Sequence, residues 1–262
     1  MRRYGVEPYT YPMPFLNEIL IFLLGFAGAF IGSIAGGYGL IVLPVLLLLG
    51  IPPHFALGTF NFGDVGYKVG GILKFAQHKN LGVSWRDVLV LTLIAVPATV
   101  LGSVAVISVN PEVLNKLIGA ILFVLIPLLL MGKDLGVTER RATGMRRVIS
   151  HIAFFFTRAW AGFFSPGSGL IETYLKIRGY GYTILQGKAV TRIPYLLAGI
   201  GSVLIFMHAG LIDYKLGLIL FLGTFVGGYV GTGYAIRKGD AWIKPILILI
   251  ILGTAIKMVF FS

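Results

Sequence analysis

Several runs of roughly twenty residues in this chain carry almost no charge, and that is the length a helix needs to cross a hydrocarbon core of about 30 Å. One of them, VLVLTLIAVPATVLGSVAVIS at 88–108, has no Asp, Glu, Lys or Arg. Inside such a core the backbone N–H and C=O groups find no water, so each run must satisfy them within itself, as a helix. A hydrophobic content of 57% with only 12% charged residues excludes a soluble globular domain, where about a quarter of the residues are charged. The expected fold is all-α, a polytopic membrane helical bundle.

The formal net charge of +12 would point to nucleic acid in a soluble protein. Here the excess sits in short loops between apolar runs, which is the orientation signal of a membrane protein, and no nucleic-acid partner is expected. The absence of cysteine excludes disulfides, thiolate metal sites and a cysteine nucleophile. His54, His78, His151 and His208 are scattered and show no metal-ligand spacing, so no metal and no other cofactor is expected. No GxxxxGK[ST] sequence is present, which removes ATP hydrolysis by a P-loop. The opening MRRYGVEPYTYPMP reads as an N-terminal tail (1–14), because it has no apolar core ending in a small-residue cleavage site.

Apolar elements are expected at 15–35, 38–50, 53–76, 87–108 and 112–131, then at 148–164, 168–178, 184–208, 214–235 and 241–261. The hydrophilic stretch GKDLGVTERRATGMRR at 132–147 divides them into a first transmembrane repeat, 15–131, and a second, 148–262. GVSWRD (82–87) resembles GLIDYK (210–215), Gly102-Ser103 falls on Gly231-Thr232, and GGYGLI (36–41) resembles PGSGLI (166–171), all at an offset of 129 or 130. The linker holds Lys133, Arg140, Arg141, Arg146 and Arg147 and is placed in the cytoplasm. Counting crossings from it puts loop 77–86, Arg178 and the run Arg237, Lys238, Lys244 on the same side, with 50–53 and 109–111 outside. Five elements per copy is an odd number, so the second copy must be inverted. Inverted repeats are a recurrent transporter plan, with substrate held near mid-membrane at broken helices.

Elements 38–50 and 168–178 are too short to span and follow glycine-rich breaks, so half-helices or re-entrant segments are expected there. A helix that starts inside the membrane presents unpaired N–H groups and the positive end of its dipole, a ready anion site. Gly36, Gly37, Tyr38, Gly39, Gly167 and Gly169 are therefore candidate substrate-binding positions, with Ser33, Ser165 and Ser168 as hydroxyl donors. Gly28, Gly32 and Gly36, and again Gly223, Gly227 and Gly231, recur every fourth residue and read as close-packing rows.

Ionisable residues within apolar elements are costly at membrane depth and face a cavity or each other. Asn61, Asp64 and Lys68 share one helical face two residues beyond Thr59, and Asp64 and Lys68 are spaced to pair, either as a structural stitch or in coupling. Lys74, near the end of its element, is expected to snorkel to the interface. Lys188 and Arg192 share a face with Thr191 and Tyr195, and no acid in their element balances them. An anionic ligand can supply the missing charge, although Lys188 can alternatively reach cytoplasmic water. Glu172 and Lys176 lie one turn apart and read as a local ion pair, with Glu172 or Asp64 as the alternative proton-carrying carboxylate. Arg158 sits in the middle of FFFTRAWAGFF, to complete a buried pair or to line the pathway.

In these residues the chain resembles the TauE/SafE sulfite exporter family. The resemblance is carried by Gly32-Ser33, the break at 36–39, Leu43-Pro44, ALGT at 56–59, GVSW at 82–85, and the weaker second copy of this pattern; it covers nearly all of 20–260. Tyr38 interrupts the family's triple glycine as GGYG. In the second copy SPGSG (165–169) replaces that motif, and Thr173-Tyr174 stands where Leu-Pro is expected. The resemblance implies a secondary transporter, in the exporting direction, of sulfite, an organosulfonate or a related sulfur-containing anion, with a permease for another organic or inorganic anion as the alternative, in the cell membrane, by rocking one repeat against the other around the broken helices. Lipid and a small anion are the implied partners, with homo-oligomerisation open. Two other readings compete: an intramembrane hydrolase with Ser168 as nucleophile and a histidine as base, which must come within hydrogen-bond reach, and a non-transporting scaffold, which leaves Lys188 and Arg192 unexplained.

Overall fold

The computed structural model describes residues 14–78, 84–110, 113–114, 143–165 and 168–238. The expected elements at 112–131 and 241–261, most of the linker, and Gly167 lie outside the described residues. The others form α1 (Pro14–Ala35), α2 (Tyr38–Leu48), α3 (Pro53–Ala76), α4 (Trp85–Ile107), α5 (Gly144–Phe163), α6 (Ser168–Tyr174) continued by a π turn (Leu175–Gly179), α7 (Ile184–His208) and α8 (Tyr214–Lys238). Among the described residues there is no strand, and α4, α7 and α8 are long and apolar enough to cross a membrane. The chain is a helical membrane bundle.

Local sequence sets the helix starts. Pro53 occupies the first turn of α3, where a missing N–H costs nothing. Thr183 and Gln186 close a capping box on α7, each side chain taking the other's backbone N–H. α5 begins four residues earlier than its apolar pattern, at Gly144 after the cap Thr143. Arg146 there donates to the Arg178 carbonyl and Arg147 pairs with Asp87, so basic residues of the linker's end are built into the helix.

Glycine determines how the helices meet. A Cβ at Gly223 or Gly227 would overlap the carbonyl oxygen of Phe22 or Phe26, so α8 lies directly on α1 and parallel to it. Gly66 and Gly70 let α3 lie on Phe221 and Phe225 of α8 in the same way, again parallel. Gly102 and Gly162 do this between α4 and α5, where Thr99 Oγ1 donates to Arg158 O (3.3 Å) and Ser103 Oγ to Gly162 O (3.2 Å). α4 runs alongside α7, with the Ser103 and Ser202 hydroxyls 2.7 Å apart. The exception is α3 against α7: Gly58 meets Phe206, Lys68 meets Gly199 and Gly71 meets Arg192, so these two are antiparallel.

The packing order is therefore α1–α8–α3–α7–α4–α5. Exchanging α1 with α5, α3 with α7 and α4 with α8, the pairs the sequence repeat equates, leaves this order unchanged. The equated pair α3 and α7 run in opposite directions, as an inverted repeat requires. The two parallel layers, however, are mixed: α8 of the second copy packs with α1 and α3 of the first, and α4 of the first with α5 and α7. Outer faces carry apolar side chains such as Leu93 (67% exposed) and Phe156 (66%), the surface a bilayer would cover. The helix directions also bring Lys74, Arg86, Arg146, Arg147, Arg178, Arg237 and Lys238 to one end of the bundle.

Candidate functional site

Where α1 stops, Gly36 and Gly37 take φ of 82° and 78°, the left-handed region that side-chain-bearing residues avoid. The chain reverses and α2 starts at Tyr38. In the second copy α6 starts at Ser168, after Ser165. The two breaks touch: a Cβ at Gly36 would sit 3.7 Å from the Gly169 carbonyl oxygen, and one at Gly169 would sit 3.5 Å from the Gly37 nitrogen. The first N–H groups of α2, at Tyr38 and Gly39, have no partner within the helix and border a cavity of about 110 Å³ at this junction. That is far below the roughly 300–1,000 Å³ of pockets for drug-sized molecules, and suits a ligand of a few atoms.

The cavity lies on the α3–α7 seam. Five cationic side chains line it, Lys68, Arg158, Lys176, Lys188 and Arg192, against two carboxylates, Asp64 and Glu172, an excess of three. All seven are buried, so water screens this excess poorly. Lys68 holds Asp64 at 2.5 Å, one turn apart in α3, and its ammonium fits against α7 because residue 199 is glycine. Arg158 of α5 holds Glu172 of α6 at 2.7 Å, donates to Thr99 Oγ1 at 3.0 Å and lies over the Tyr195 ring at 4.3 Å. The expected partner of Glu172 was Lys176; Arg158 takes the carboxylate instead, because α5 packs across α6.

Lys188 does not reach water. Its ammonium donates to the carbonyls of Ser33 and Ile34, 2.5 Å each, and so caps the negative end of α1. Arg192 donates to Thr232 Oγ1 at 3.3 Å and lies over the rings of Tyr67 and Phe75, 4.4 and 5.7 Å from their centroids. Lys74, outside the cavity, donates to Gln77 at 3.0 Å near the end of α3.

Of the residues expected at a binding site, Gly36, Gly37, Tyr38, Gly39, Asn61, Ser165, Ser168, Gly169, Thr191, Lys188 and Arg192 line the one cavity, as do Asp64, Lys68, Arg158 and Glu172. Two stand apart from it. Thr59 accepts from the Asp213 N–H at 3.0 Å and fixes the entry to α8. The Ser33 hydroxyl faces α8, donating to Gly228 O at 3.4 Å and accepting from Thr232, and only its carbonyl reaches the site through Lys188. Tyr67, Thr99, Thr173, Lys176, Tyr195 and Gly199 join the lining without having been singled out as site residues. Tyr67 and Tyr195 were accessible to periodicity, as each follows a charged site residue by three on the same face. Thr99 and Gly199 needed the tertiary contact.

The hydroxyls of Ser168, Thr173 and Thr191 donate to main-chain carbonyls of Ser165, Gly169 and Gly187, at 2.6 to 2.7 Å. The donors that remain for a ligand are the cationic nitrogens, the start of α2, and three buried polar atoms of the lining without a partner, Tyr38 Oη, Tyr195 Oη and Arg158 Nε. Among the described residues no group of three His, Asp or Glu side chains is placed to hold a metal ion, and no histidine lines the cavity.

Known proteins match this chain over most of its length. A probable membrane transporter protein of Haemophilus influenzae is 26% identical over 241 residues, covering 92% of this chain and 94% of its own length. The probable membrane transporter protein ORF9 of a Sinorhizobium species is 28% identical over 240 residues, covering 91% and 90%. The probable membrane transporter protein YfcA of Escherichia coli K12 is 24% identical over 250 residues, covering 95% and 91%. No solved structure gives a significant match. The profile of the family described as sulfite exporter TauE/SafE matches residues 21–258, from within α1 through α8. The chain thus belongs to the sulfite exporter TauE/SafE family and is a membrane transporter of that type.

Proposed function

We propose that the protein moves a small anion, most specifically sulfite, an organosulfonate or a related sulfur-containing anion, out of the cell across its plasma membrane, which the chain crosses several times. The observation that carries this reading is the charge of the cavity: three more cations than carboxylates, buried where two broken helices meet. An oxyanion there would accept from Arg192, Lys176 and the α2 N–H groups, and would bring a counter-charge that the protein itself lacks. The moving parts are the two mixed layers, α1/α8/α3 and α4/α5/α7, rather than one repeat against the other. Alternating access opens the α3–α7 seam first on one face and then on the other, around the fixed junction of the breaks. Asp64 and Glu172 are the carboxylates available for proton coupling. The cation-rich end of the bundle, with the 132–147 linker between domains 15–131 and 148–262, faces the cytoplasm.

The hydrolase reading lacks its base: Ser168 donates to Ser165 O, and no histidine is in the cavity among the described residues. The test of transport is flux in proteoliposomes with sulfite, sulfate and chloride. Sulfite or sulfate should cross faster than in protein-free vesicles, and flux equal to protein-free vesicles for all three anions would falsify the proposal.

A further inference from the structure

Which anion the cavity takes follows from how its charges are already used, an argument that rests on the anion-transport reading. Asp64 is bound by Lys68 and Glu172 by Arg158, so both carboxylates of the lining are taken. Lys188 is held by two carbonyl oxygens at the end of α1. That leaves Lys176 and Arg192, which line the same cavity and have no carboxylate in contact among the described residues.

Lys176 is 5% exposed, and the contact it makes is with the face of Tyr195, 5.4 Å from the ring centroid. Its charged neighbours are Glu172, Arg192 and Arg158, and the one acid among them is already bonded to Arg158. Arg192 is 6% exposed and has two aromatic faces and a hydroxyl. Both positions are shaped for these side chains. A Cβ at Gly187 would stand 3.1 Å from the Lys176 Cβ, and one at Gly71 would stand 2.6 Å from the Arg192 guanidinium carbon. Lys176 is also presented by a π turn, a wide turn that occurs mostly as a single-turn bulge within α-helices and is frequent at functional sites. A buried cation without a counter-charge is costly, and two of them facing one small cavity repel each other as well.

We propose that the site selects by charge: it takes a small dianionic oxyanion in preference to a monoanion of the same shape, and Lys176 is the specificity-determining residue that sets the second charge. A dianion balances Lys176 and Arg192 together. A monoanion balances one and leaves the other unmatched.

Sulfate and methanesulfonate are suitable probes, since both are tetrahedral at sulfur and of similar size but differ by one charge. Their binding to the purified full-length protein is measured by calorimetry in detergent. The wild type should bind sulfate at least about tenfold more tightly than methanesulfonate. Lys176→Met should weaken both anions, since both lose a donor, but sulfate about tenfold more than methanesulfonate, while Lys176→Arg keeps the preference. Equal wild-type affinities for the two anions overturn the proposal, and this comparison needs no variant to fold. An equal loss of both anions in Lys176→Met overturns it too. If neither anion binds and no anion flux is seen, the transport reading fails and this proposal with it; binding of both without preference removes only the charge selection.

Discussion

Lys188 and Arg192 leave the same face of α7 one turn apart and meet opposite surroundings. The first is bound by backbone carbonyls of α1, the second by aromatic faces and a hydroxyl. Lys188→Met should therefore lower the melting temperature of the purified protein, because it uncaps α1, whereas Arg192→Gln should leave the melt nearly unchanged. The Arg158–Glu172 pair gives a sharper case. Removing one partner of a buried pair costs about 3–5 kcal/mol, while replacing both by apolar groups is often neutral. Glu172→Gln should show that loss in denaturant titration, and Arg158→Leu/Glu172→Met should recover most of it; equal losses in both variants would contradict the pairing. Sequence spacing identified these buried charges but paired Glu172 with Lys176. Spacing along one helix cannot reveal that α5 lays Arg158 against α6, and this pairing is what leaves Lys176 without an acid.

At the scale of elements, the starts of the two short helices were legible because glycine and proline punctuate the chain at 36–39 and 165–169. The π turn at 175–179 was not, since its residues carry no local signal distinct from an α-helix. Nor was the early start of α5, where arginines that read as linker find partners in Asp87 and the Arg178 carbonyl. The break depends on a left-handed backbone, so Gly36→Ala should cost about 1–2 kcal/mol and slow anion flux. Gly102 and Gly231 occupy equivalent positions in the two copies, and each seats its helix on a neighbour's backbone, at Ala159 and Phe30. Gly102→Leu and Gly231→Leu should therefore lower thermal stability by comparable amounts; a large effect in one and none in the other would contradict their equivalence.

For the whole molecule, an odd-numbered repeat and the clustering of loop charge were enough to expect inversion. They could not show that the packed layers would be mixed, because which helix lies on which depends on glycine contacts between the copies. The natural absence of cysteine makes the proposed orientation directly testable. Single cysteines at Gln77 and Arg178 should react with an impermeant maleimide from the cytoplasmic face, and those at Ser108 and Ala209 from the outside; labelling of all four from one side would contradict the antiparallel α3–α7 seam. The central claim is that the cationic cavity at that seam is where the anion crosses. Its most direct test is sulfite and sulfate flux through wild-type and Arg192→Gln protein, reconstituted side by side and matched for thermal melt. The account predicts wild-type flux above protein-free vesicles and a loss of about tenfold or more in the variant. Undiminished flux through Arg192→Gln would place the pathway elsewhere.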